Sequence, residues 1–184
     1  MNGNPKLVGS NIVDCIPQTG ECPNHCSECF YNGGRFFRTL DKPMFPTAKE
    51  CEGKIVRVNS GNDSNNRREM VIAATDCYPH RFFNTAVPRL DFPAPVVLTI
   101  NPQHNDVGAF VEPPPNLWKQ HITNAYFLPK TEAILRFMAQ FKGTGVRMCG
   151  TPWSSLCVDC GNCENFYWRT MRRMTVEEWQ HERR

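Results

Sequence analysis

Cys22-Pro23-Asn24-His25-Cys26-Ser27-Glu28-Cys29, followed by Phe30-Tyr31-Asn32-Gly33-Gly34, is the stretch on which the reading of this chain turns. Three cysteines stand at C-x3-C-x2-C spacing among residues that favour turns: Pro23, Asn24 and the paired glycines. A loop can wrap three thiolates around one face of a metal cluster, which a regular strand cannot. The segment just before it, Asn11-Ile12-Val13-Asp14-Cys15-Ile16, is a short apolar run ending at Pro17 and reads as a first strand. The cysteine loop therefore leaves the carboxyl end of that strand, the edge at which ligand sites of parallel α/β sheets collect.

Outward from this point the chain repeats strand and helix. Residues 45–53 read as a short helix with Thr47 as its cap and Gly53 at its end. Residues 54–59 are β-branched and alternating, a second strand, and run into the polar loop Ser60-Gly61-Asn62-Asp63-Ser64-Asn65-Asn66. Helical periodicity follows over 67–78, with Met70, Val71, Ala74 and Cys77 on one side. Residues 81–87 and 95–101 are the third and fourth strands, and 88–95 is too short and proline-rich for a crossover helix. A fifth strand over 118–126, a helix over 130–141 with an apolar stripe from Ala133 to Phe141, and a short sixth strand over 145–149 complete the pattern. It predicts an α/β protein: a compact partial (β/α) barrel of about six mostly parallel strands.

Ten cysteines is a high count for 184 residues. A secreted disulfide protein would show such a count, but the amino terminus has no basic stretch followed by an apolar one. Seven of the ten fall in two tight groups, which suits metal centres. The second group is Cys149, Cys157, Cys160 and Cys163, a complete set of four for a second 4Fe–4S cluster or for zinc. Cys15, Cys51 and Cys77 are read as buried thiols. The chain divides into a core over 1–148 and a cysteine-rich extension with a terminal helix over 149–184. No apolar run is long enough to span a membrane, and the expected compartment is the cytoplasm. A formal charge of +3 does not by itself argue for nucleic acid. The run Phe166-Tyr167-Trp168-Arg169 would suit base stacking, with a helix packing back on its own domain as the commoner use of such a segment.

The first cysteine group resembles the signature of the radical S-adenosylmethionine (SAM) superfamily. On that resemblance Cys22, Cys26 and Cys29 hold a 4Fe–4S cluster, SAM chelates the fourth iron, and its reductive cleavage yields a 5′-deoxyadenosyl radical. The aromatic residue usual before the third cysteine is Glu28 here, and Phe30 or Tyr31 would pack the adenine. Asn59, Ser60, Gly61 and Asn62 stand where the family places a glycine-rich motif for the SAM amino group, with Asp63 as the nearest acidic residue. Thr99 and Asn101, at the end of the fourth strand, would meet the ribose. The resemblance implies an electron donor such as flavodoxin or ferredoxin, and leaves the substrate and the catalytic residues unassigned. The alternative is a non-catalytic zinc or iron–sulfur module, working in electron transfer or in binding RNA or protein.

Overall fold

The computed structural model describes residues 4–25, 42–87, 89–100, 117–121, 147–148 and 156–181. The helix expected over 130–141 lies outside them. Six strands form one parallel sheet in sequential order: β1 Ile12–Cys15, β2 Ile55–Val58, β3 Arg81–Thr85, β4 Val96–Ile100, β5 Leu117–His121 and β6 Arg147–Met148. No pairing joins β1 to β6, so the described sheet is not closed on itself. β1, β2 and β3 are each shorter than the run that predicts them. Ile16, for example, leaves β1 to form an antiparallel bridge with Met44, exchanging two backbone hydrogen bonds of 2.8 Å.

Side chains alternate between the two faces, and both faces are covered. On one, Cys15, Val56, Val58, Phe83, Val96 and Leu98 pack with Val71 of helix α2 (Arg68–Ala74) and with Tyr78 and Phe92. Cys51, at the end of the short helix α1 (Ala48–Cys51), packs against the same cluster. On the other face Ile12, Ile55, Phe82 and Val97 pack with Leu7 and with Tyr167 of the long helix α4 (Asn162–His181). Double coverage accounts for β2, whose four residues are all buried although its sequence reads as a half-exposed alternating strand.

Local signals explain the helices. Thr47 caps α1 in a reciprocal capping box with Glu50, and Gly53 follows with a left-handed φ of +67°. Helix α2 is shorter than the expected 67–78 and turned from the expected phase. Met70 and Cys77 are exposed, while Arg68, Val71 and Thr75 form the buried stripe at i, i+3 and i+7. Arg68 can be buried because its guanidinium pairs with Asp91 at 2.9 Å, donates to Asn65 Oδ1 at 3.1 Å, and lies 3.8 Å from the Phe92 ring centroid. Phe92 in turn stacks on Phe83 at 4.6 Å. The proline-rich β3–β4 connection thus covers the sheet with Leu90, Phe92 and Ala94, where a crossover helix would otherwise lie.

The cysteine-rich extension packs on the amino-terminal half of the second face. Helix α3 (Cys157–Cys160) ends at Gly161, whose φ of +61° turns the chain into α4. Cys157, Cys163, Phe166 and Trp168 adjoin the cluster of Leu7, Ile12, Ile55 and Phe82, and Asn11 donates to Glu164 at 2.8 Å. The terminal helix expected within 149–184 is α4. Among the described residues no helix is long and apolar enough to cross a membrane.

Candidate functional site at the carboxyl edge

A period of two along each strand puts Asp14, Arg57, Asn84 and Thr99 on the same face as Ile12, Ile55, Phe82 and Val97, one step nearer the carboxyl edge. The amino-terminal half of this face is apolar and covered by α4; the carboxyl half is polar. Asp14 and Arg57 are register neighbours and both are buried. The Asp14 carboxylate accepts from the Asn4 backbone N–H at 2.6 Å and from the Ser60 hydroxyl. Burial pushes its pKa above the usual carboxylate value, opposed by Arg57 and by the two hydrogen bonds. A raised folded-state value means that the stability contributed by Asp14 is complete below its unfolded value of about 3.9 and is lost as pH rises through the folded value. Asp14→Asn is therefore expected to remove that fall. Urea unfolding of both proteins across the acid range checks this, and parallel stability curves would contradict it.

Two loops leave this edge. The loop after β1 carries Cys22, partly buried. The loop after β2 starts at Asn59 and ends at Arg67, both with left-handed φ, +62° and +52°. Asn59 is 1% exposed; its N–H donates to the Cys15 carbonyl at 2.8 Å and its side-chain amide meets Ser64 Oγ at 3.3 Å. Ser60 is buried on Asp14. Gly61 and Asn62 are partly buried, and Asn62 Oδ1 accepts from the Asp63 N–H at 2.9 Å. Asp63 is fully engaged within the protein: Oδ1 accepts from Thr85 Oγ1 at 2.7 Å and from the Asn65 N–H at 2.9 Å, and Oδ2 from the Ala86 N–H at 2.7 Å. It ties the β2 loop to the end of β3, which places it as an anchor of the loop and not as a ligand for an ammonium group.

The two loops meet through residues that the sequence pattern does not single out. Gln18 Nε2 donates to the Asn66 carbonyl, and Asn66 Nδ2 donates to Asn62 Oδ1 at 3.3 Å and to Cys22 Sγ at 3.5 Å. Gln18 Oε1 and Asn59 Oδ1 are buried without a hydrogen-bond partner among the described residues. The one sequence signal for Asn66 is its place in an amide-rich loop.

Thr99 lies on the polar half of the face, partly buried. Cys26, Cys29, Phe30, Tyr31, Asn101 and Cys149 lie outside the described residues. Cys157, Cys160 and Cys163 are partly buried near the amino-terminal ends of the strands, away from Cys22. Among the described residues no three His, Cys, Asp or Glu side chains are grouped to hold a metal ion. Cys157 and Cys160 are one helical turn apart, and the left-handed turn at Gly161 separates them from Cys163. Of the remaining thiols, Cys15 is buried with its pKa pushed up to about 12, chiefly by burial and then by the neighbouring Cys77 and Cys51, so it is no nucleophile. Cys77 is exposed, contrary to the expectation of a buried thiol, because α2 ends three residues before it. Tyr167, one of the aromatics suited to base stacking, is 3% exposed and spent on Phe82 and on His80, whose Nδ1 lies 3.3 Å from its hydroxyl. Comparison of the chain with family models, with curated proteins and with solved structures returns no match.

Proposed function

We propose that the protein is a radical SAM enzyme. The observation that carries the reading is the meeting of the β1 and β2 loops at one edge of a sequentially ordered parallel sheet, with Asn66 donating to the thiol of Cys22. Sequential order with every strand parallel is the order in which a (β/α) barrel grows, and a partial barrel of this kind opens its carboxyl edge to ligands. The donor set fits an iron–sulfur cluster: a soft thiolate in a turn, facing an amide N–H, with two further cysteines four and seven residues on. Cys22, Cys26 and Cys29 would hold the cluster. When bound, it would supply the electron that cleaves SAM to methionine and a 5′-deoxyadenosyl radical.

The chain's own residues would bind and orient. The Asn59–Asn62 turn is linked through Asn66 to Cys22, where the amino acid end of SAM would rest, and Asn59 Oδ1, buried without a partner among the described residues, would be its acceptor. Phe30 or Tyr31 would pack the adenine, and Thr99 and Asn101 would meet the ribose. The polar half-face of Asp14, Arg57, Asn84 and Thr99 then lies beneath the site as the floor a substrate would touch. Cys149, Cys157, Cys160 and Cys163 would form a second thiolate site, for a 4Fe–4S cluster or zinc. The place of Cys157, Cys160 and Cys163 near the amino-terminal ends of the strands suits a structural or electron-relay part and not a substrate ligand. A cytoplasmic setting with a flavodoxin or ferredoxin as electron donor completes the reading. The test is anaerobic reconstitution with iron and sulfide, reduction, and assay of SAM for 5′-deoxyadenosine and methionine. Both products are expected without added substrate; a loaded, reduced protein that yields neither rejects the reading.

A further inference from the structure

Asn66 is the residue through which the β2 loop reaches the cysteine loop, and the direction of its amide is settled by its surroundings. Asn62 Oδ1 accepts from the Asp63 backbone N–H at 2.9 Å, so that atom is an acceptor. The end of the Asn66 amide facing it at 3.3 Å must therefore be the NH2 group, and the same nitrogen faces Cys22 Sγ at 3.5 Å. Its two hydrogens have two acceptors. The backbone of Asn66 is fixed as well: its N–H donates to the Asp63 carbonyl at 3.0 Å and its carbonyl accepts from Gln18 Nε2, whose donor end is identified by that carbonyl. Gln18 is 4% exposed and belongs to the segment between β1 and Cys22, so both loops hold the amide in place.

From this geometry we infer that Asn66 is a positioning and tuning residue for the metal centre. It donates a side-chain N–H to the sulfur of Cys22, and Gln18 and Asn62 hold it in that orientation. The inference rests on the iron–sulfur reading above. An N–H directed at a thiolate ligand stabilises the more negative, reduced state of the cluster and so raises its reduction potential. It also links the two loops: whatever shifts the Asn59–Asn62 turn moves the amide that faces the cluster sulfur.

The test uses the full chain, reconstituted anaerobically, as wild type, Asn66→Asp and Asn66→Ala. Iron and sulfide are counted first, circular dichroism confirms folding, and the midpoint potential is then read by redox titration followed by electron paramagnetic resonance. Asn66→Asp replaces the N–H with a carboxylate oxygen, and Asn66→Ala removes the donor without adding charge. Both variants are expected to be reduced less readily. For Asn66→Asp the shift is about tenfold in the reduction equilibrium, or about 59 mV for one electron, with a smaller shift in the same direction for Asn66→Ala. Folded variants carrying a full cluster at the wild-type potential would overturn the inference and leave the iron–sulfur reading standing. A wild-type protein that takes up no iron and sulfide would overturn both.

Discussion

Replacing Cys22 with alanine is expected to abolish SAM cleavage, reducing 5′-deoxyadenosine to the level of a protein-free control. Cys22 lies where the chain has left β1 and is already held against Asn66. With two thiolates in place of three, the loop cannot fix a cluster in one orientation, and the labile site loses iron and sulfide. The same result is expected for Cys26→Ala. The fold should survive, because Cys22 is only partly buried and belongs to neither hydrophobic cluster. The readouts are the iron and sulfide content of the reconstituted variant and product formation under strong reductant. A Cys22→Ala protein that keeps a full cluster and wild-type turnover would remove Cys22 from the site.

The second large effect is on stability. Asp63→Ala is expected to destabilise the protein by roughly 3 kcal/mol, because it removes a buried carboxylate that accepts from Thr85 Oγ1 and from the Asn65 and Ala86 N–H groups. Thr85 can turn its hydroxyl to the Val87 carbonyl at 3.0 Å, which offsets part of the loss at that partner. Asp63→Asn should also be destabilising, since one amide end turns a donor toward another donor. Urea unfolding provides the check: a lower midpoint at unchanged slope is expected. A change within about 0.5 kcal/mol would contradict the assignment of Asp63 as the anchor between the β2 loop and β3.

These two residues mark what was legible in the sequence. The strands were, because β-branched runs such as Ile55–Val58 and Val96–Ile100 stand between turn signals. The capping box of α1 was also visible, since Thr47 and Glu50 are local partners. The phase of α2 was not. Its buried stripe contains Arg68 and Thr75, and Arg68 is accommodated by Asn65 and by Asp91 and Phe92, the last two more than twenty residues away. A count of apolar periodicity therefore selected Met70 and Cys77 and turned the helix outward. The same limit applied to the site. The three-cysteine loop stands out by spacing, whereas Asn66 is one amide among several in its loop, and only parallel pairing of β1 and β2 brings it to Cys22. Asp63 looked like a ligand because it is the acidic residue nearest the turn, yet its partners lie at the end of β3.

The polar half-face of the sheet follows the same logic. In each of β1 to β4 a polar residue stands two places after an apolar one: Asp14 after Ile12, Arg57 after Ile55, Asn84 after Phe82 and Thr99 after Val97. The pairs are visible one strand at a time, but their alignment on one face needs the parallel register. That register separates an apolar half, covered by α4, from a polar half beside the two loops.

The central claim, that the edge bearing Cys22 holds a cluster with an open position for SAM, is tested most directly by electron paramagnetic resonance of the anaerobically reconstituted, reduced protein with and without SAM. The account predicts the signal of a reduced 4Fe–4S cluster that changes when SAM is added and is missing from Cys22→Ala. A fully loaded cluster whose spectrum is the same with and without SAM, or stoichiometric zinc without sulfide at this site, would contradict it.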